Sequence, residues 1–65
     1  MNLSPKYLIS LLEKNGFVYK RTKGSHNVFY NPIRKITVVV PVHGGKDMNK
    51  FTFMGILKQA GIELK

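Results

Sequence analysis

Two histidines stand among lysines and arginines in this chain, and histidine is the side chain whose charge changes near neutral pH. His26 ends the stretch KRTKGSH, where Lys20, Arg21 and Lys23 precede Gly24 and Ser25; His43 lies in VPVHGG. Such groups beside positive charge suit phosphodiester cleavage. RNA carries its own nucleophile, the 2′-hydroxyl, so a catalyst needs only a base for that proton, an acid for the leaving oxygen and cations for the phosphorane. His26 is the first candidate and His43 the second. The plainer reading of each is a hydrogen-bonded residue at the edge of a strand. Ser25 fits a turn or a phosphate contact better than a nucleophile, because a Ser-His-Asp relay needs an acid beside the histidine and the pattern requires none there. Glu13, Asp47 and Glu63 are too scattered for paired-carboxylate chemistry. The GGK of HGGKD lacks the spacing of a phosphate-binding loop. With two histidines, three acids and no cysteine, neither a metal site nor a cofactor is expected.

The elements that must position these residues can be read from local signals. Ser4 is placed to cap a helix, Pro5 suits its first position and Leu3 can staple onto Leu8. Leu8, Leu11 and Leu12 make an apolar stripe, and Asn15-Gly16 is a stop that lets Phe17 fold back on Leu12, so a helix is predicted over 5–15. FVYKRT and NVFYN read as strands joined by a turn at Lys23-Gly24. Asn31-Pro32 marks another turn before KITVVVPV, whose faces are both largely apolar, with Pro41 near its end. After the HGGKD loop, Phe53, Ile56, Leu57 and Ala60 recur at helical spacing, and Gly61-Ile62 repeats the first stop. Asp47, Asn49 or Thr52 could cap this helix, and Met48, Phe51, Phe53 and Met54 read as core and rim. The fold class is α+β in the order α-β-β-β-α: a three-stranded antiparallel meander with both helices on one face. If the last two strands pair through Pro32, facing residue numbers sum to about 66, which sets His43 opposite Lys23. Tyr19, Phe29 and Tyr30 could stack on bases, or simply pack across the strands.

Charge narrows the partners. Eleven Lys and Arg against three acids give a net charge of +8 and a pI near 10.1, a balance that attracts polyanions, nucleic acid first. Lys20, Arg21, Lys23, Arg34 and Lys35 flank the two ends of one strand and are expected to gather into an RNA track, with Gly24 and Ser25 at its turn. A chain of 65 residues is a single domain, 1–65, burying about 60 % of its unfolded surface. The absence of cysteine fits a reducing cytoplasm, MNLSPKYLISLL does not read as a secretory signal, and ITVVVPV is too short to span a bilayer.

NGF at 15–17, KGSH at 23–26, VPVHGG at 40–45 and ILKQAGI at 56–62 together resemble the HicA family of bacterial toxin–antitoxin mRNA interferases, in order and spacing over nearly the whole chain. The resemblance implies a fold similar to the double-stranded-RNA-binding domain, endonucleolytic cleavage of mRNA that arrests translation, and a HicB-type antitoxin that holds the toxin inactive. It assigns the catalytic role to the histidine of the GSH motif, here His26, and matches His43 to the second motif. One departure is Phe51, which stands where the family has glycine before Thr52 at the start of the last helix. The alternative is a non-catalytic RNA-binding module using the same basic face.

Overall fold

Helix α1 spans Pro5–Lys14 in the computed structural model, which describes residues 1–64. Ser4 Oγ accepts from the Tyr7 backbone N–H at 3.1 Å, and Pro5 occupies the first turn, as its ring geometry favours. The helix ends as its sequence predicts: Gly16 donates to the Glu13 carbonyl and Phe17 to that of Leu12. Helix α2, Lys50–Ala60, stops in the same way, with Ile62 donating to Leu57 past the left-handed Gly61. Of the three candidate caps, Asn49 is the one used, its side chain accepting from Phe51 at 2.8 Å. That helix start is therefore ordinary despite the phenylalanine, whose side chain is 87% exposed.

Between the helices, β1 (Val18–Lys23), β2 (His26–Asn31) and β3 (Ile36–Pro41) form an antiparallel sheet in the order β1-β2-β3. One face of it is dry. Phe29, Val38 and Val40 pack with Leu8 and Leu12 of α1 and with Phe53, Ile56 and Leu57 of α2 in a single core. Tyr7 and Phe53 stack across the helices at 6.2 Å. The opposite face carries Val18, Arg21 and Lys23, then His26, Val28 and Tyr30, then Thr37, Val39 and Pro41; none of these is buried. Cross-strand partners share a face, so two helices on one side leave the other side to solvent.

The β2–β3 register corrects the sequence reading by one residue. His26 pairs with Pro41 and Phe29 with Val38, so the numbers sum to 67, and His43 lies beyond the sheet rather than opposite Lys23. Lys23 faces His26 instead. The turn sets this register. Asn31 is 2% exposed, and its Oδ1 accepts from the backbone N–H groups of Ile33 and Arg34 while its Nδ2 donates to the Asn15 carbonyl, each at 3.0 Å. Lys35 then takes a positive φ of 57° and donates to the Asn31 carbonyl at 2.7 Å, closing the loop. Asn31→Ala removes three hydrogen bonds and leaves partly buried backbone groups unpaired, so it should destabilise the fold by roughly 2–4 kcal/mol in urea unfolding. A loss below about 0.5 kcal/mol would show that the turn closes without this side chain.

Candidate nucleic-acid interface

Gly24 and Ser25 are the two-residue loop of the β1–β2 hairpin, and Gly24 has φ 60° where Ser25 has no positive φ. Glycine at the first loop position with this sign is what a tight II′ turn requires. The turn is also tied down from the other side: Val42 donates its backbone N–H to the Ser25 carbonyl at 2.8 Å. His26 is thus the first residue of a strand held on both flanks, by Lys23 and by Pro41, and its side chain is exposed on the open face.

Lys20 and Arg21 are adjacent in sequence, and strict alternation would send them to opposite faces. A bulge between Tyr19 and Arg21 prevents this. The extra residue is Lys20, whose Nζ lies 5.9 Å from the Tyr30 ring centroid on the open face, where Arg21 also stands opposite Val28. Bulges commonly re-aim side chains in this way, and here two consecutive cations reach one surface. The other face of the bulged strand has its own ladder: Tyr19 Oη meets Thr22 Oγ1 at 2.6 Å, and Thr22 donates to Asn27 Oδ1 at 2.7 Å. Tyr19 packs edge-on against Phe29 at 5.8 Å. Of the three aromatics weighed from sequence, only Tyr30 therefore belongs to the open face.

Arg34 and Lys35 do not join this group. They sit in the Asn31–Ile36 turn, at the far end of β2 from His26, which is about 17 Å along the strand. Arg34 turns instead to the end of α2, its Nη1 donating to the Ala60 carbonyl at 3.4 Å, with the guanidinium so close that a Cβ on Gly61 would come within 2.8 Å of it. A cation there complements the carbonyl end of the helix. The expected cluster of five is thus three, Lys20, Arg21 and Lys23, on the face of His26.

His43 is exposed and follows β3 by two residues, so both histidines lie toward the same end of the sheet. It lines an open cleft of about 540 Å³ with Pro41, Lys46, Asp47, Asn49 and Thr52, beside the start of α2. Met48 anchors the loop beneath, buried at 8% exposure and donating to the Leu3 carbonyl at 2.8 Å. No strand carries an acid. Among the described residues, no group of three His, Asp or Glu side chains is placed to hold a metal ion, and no helix is long and apolar enough to cross a membrane.

Fold and site define a small α+β domain whose half-covered sheet presents basic side chains and a histidine. A family model described as the HicA toxin of bacterial toxin–antitoxin systems matches residues 5–62, from the first residue of α1 to the stop of α2. The chain belongs to this family: it is a toxin of a toxin–antitoxin pair, and an antitoxin partner goes with it. No curated protein matches the chain.

Arg34 and Lys23 should separate cleanly in stability measurements. Arg34→Ala is expected to cost about 0.5–1 kcal/mol in urea unfolding, the usual worth of a cation at a helix end. Lys23→Ala, at an exposed strand end, should change it by less than about 0.5 kcal/mol. Equal effects would remove the distinction between a cation used by the fold and one left free for a ligand.

Proposed function

We infer that this toxin is an endoribonuclease that cleaves mRNA and so blocks translation, with His26 as its acid/base group. The observation that carries this reading is the exposed imidazole at the head of β2, directly across from Lys23 and on the same open face as Lys20 and Arg21. Family membership supports it. In the reaction His26 takes the proton of the ribose 2′-hydroxyl as that oxygen attacks the adjacent phosphorus. The bond from phosphorus to the 5′-oxygen breaks, leaving a 2′,3′-cyclic phosphate and a 5′-hydroxyl. A second acid returns a proton to the leaving oxygen; His43, toward the same end of the sheet, is the candidate. Lys20, Arg21 and Lys23 stabilise the charge on the phosphorane and, with Gly24 and Ser25 at the hairpin, hold the strand.

The inhibiting partner is a HicB-type antitoxin that covers this basic face, and its contact surface would be acidic. The reading that competes is an RNA-binding module without catalysis, for which the same cations would suffice.

His26→Ala should lower single-turnover cleavage by about 10²–10⁴-fold while circular dichroism and RNA affinity stay close to the parent. His26→Gln, which keeps hydrogen bonding but does not titrate, should be nearly as inactive. Cleavage by the parent should persist in EDTA. A folded variant that binds RNA and cleaves within a few-fold of the parent makes His26 structural; binding by the parent without cleavage favours the module.

The phosphate track has a separate test. Each neutralised phosphate contributes about −0.7 to the log–log slope of affinity against salt on single strands, so replacing Arg21 and Lys23 together should flatten the slope by roughly 1.4. Replacing Arg34 and Lys35 together should leave it almost unchanged. The reverse pattern would move the track to the far end of the sheet.

A further inference from the structure

We propose that the open sheet face is a reading platform for single-stranded RNA, on which Tyr30 stacks a base while Lys20 holds the neighbouring phosphate. The proposal takes its polymer from the ribonuclease reading above and adds the strandedness of the substrate and the residue that senses it.

The centre of this face is apolar and uncovered. Val28 and Tyr30 are half-buried only by their neighbours, and Val18 and Val39 beside them are 48% and 43% exposed. Its charge is of one sign, since Lys20, Arg21 and Lys23 stand on it and no strand bears a carboxylate. A double helix makes poor use of such a surface. It presents phosphates outward and keeps the faces of its bases in the stack, so an aromatic ring beneath it has nothing to cover. A single strand offers both parts at once, an unstacked base for the ring and a phosphate for the ammonium. The Lys20 ammonium lies over Tyr30, 5.9 Å from the ring centroid, so an arriving base takes its place on the ring while the flexible lysine stem swings the charge to the neighbouring phosphate.

Tyr30 is four residues along β2 from His26, roughly 13 Å. A base stacked there is remote from the broken bond. Tyr30 is accordingly a positioning residue, and its loss should appear in binding and KM rather than in kcat.

The test separates binding from cleavage by measuring affinity in a His26→Ala background. Fluorescence anisotropy with a short unstructured RNA should show roughly tenfold or greater weakening for Tyr30→Leu and near-parent binding for Tyr30→Phe. The affinity for a blunt duplex should be weaker at the outset and unchanged by Tyr30→Leu. An oligonucleotide carrying 2-aminopurine should be quenched by the parent and by Tyr30→Phe but not by Tyr30→Leu. In the cleaving protein, Tyr30→Leu should raise KM and leave kcat within about threefold. Single-strand affinity that ignores Tyr30→Leu overturns the proposal, as does duplex binding as tight as single-strand binding. If Tyr30→Leu spares RNA but weakens the antitoxin, the face belongs to the protein partner and the proposal is equally overturned. If binding depends on Tyr30 but the parent never cleaves, the ribonuclease reading fails and the platform stands.

Discussion

The side chain of Asn31 joins the two halves of this structure. It is the one buried polar side chain among the described residues, and its bonds run both ways: to the carbonyl of Asn15 where α1 ends, and to the N–H groups of Ile33 and Arg34 where β2 turns toward β3. The amide of asparagine suits both tasks, since one end donates and the other accepts. By closing that turn it fixes the pairing of Asn31 with Ile36, and every later pair follows, down to His26 opposite Pro41. A slip of one residue would exchange the faces of β3 against β2 and turn Val38 and Val40 out of the core. The position of His26 relative to the third strand is thus decided at the far end of the sheet.

The second constraint is size. A chain of 65 residues supplies two helices of 10 and 11 residues, enough to keep one face of a three-stranded sheet dry and no more. In a larger domain a second layer would cover Val18, Val28 and Val39. Here those side chains share their surface with cations and a histidine, which favours partners that are themselves part apolar and part anionic. A single strand of RNA has that character, and so would the acidic surface of an antitoxin. If both bind there, as inferred above, competition for this face would be a sufficient physical basis for inhibition, without any change of shape in the toxin.

What the sequence disclosed and what it hid divide by range. The stops at Gly16 and Gly61, the Ser4 cap and the Gly24 turn are encoded within a few neighbouring residues, and each is where its residue types place it. The order α-β-β-β-α and the helices gathered on one face follow from periodicity in the same way. The register differs by one from the sequence reading because the loop from Pro32 to Lys35 contains a lysine at positive φ and is closed by a side chain that bonds a distant helix end. Arg34 stands apart from the cations with which its sequence position groups it because its partner, the Ala60 carbonyl, is 26 residues away. The bulge at Lys20 has no signal in the alternation of VYKRTK, and without it Lys20 and Arg21 cannot be placed on one face.

An exposed histidine raises its own problem for the cleavage inferred above. Charges about 4 Å apart in bulk water gain only about 1 kcal/mol, so Lys20, Arg21 and Lys23 on an open surface are weak stabilisers of a phosphorane. At an effective dielectric near 20 the same pair gains about four times as much. On this sheet the missing cover has to come from the substrate. A strand laid along β2, with a base over Tyr30 and a phosphate beside His26, would displace water from between the cations and the reacting group. Binding along the face and chemistry at its end would then be coupled: a substrate too short to reach Tyr30 would lose rate as well as affinity, although nothing at the scissile bond has changed. That distinguishes truncating the RNA from replacing Tyr30. The Tyr30→Leu side chain still lies under a full-length strand that excludes water, whereas a truncated strand leaves the cations wet. The expected signature is a fall in kcat on shortening the RNA, against a rise in KM on replacing the ring.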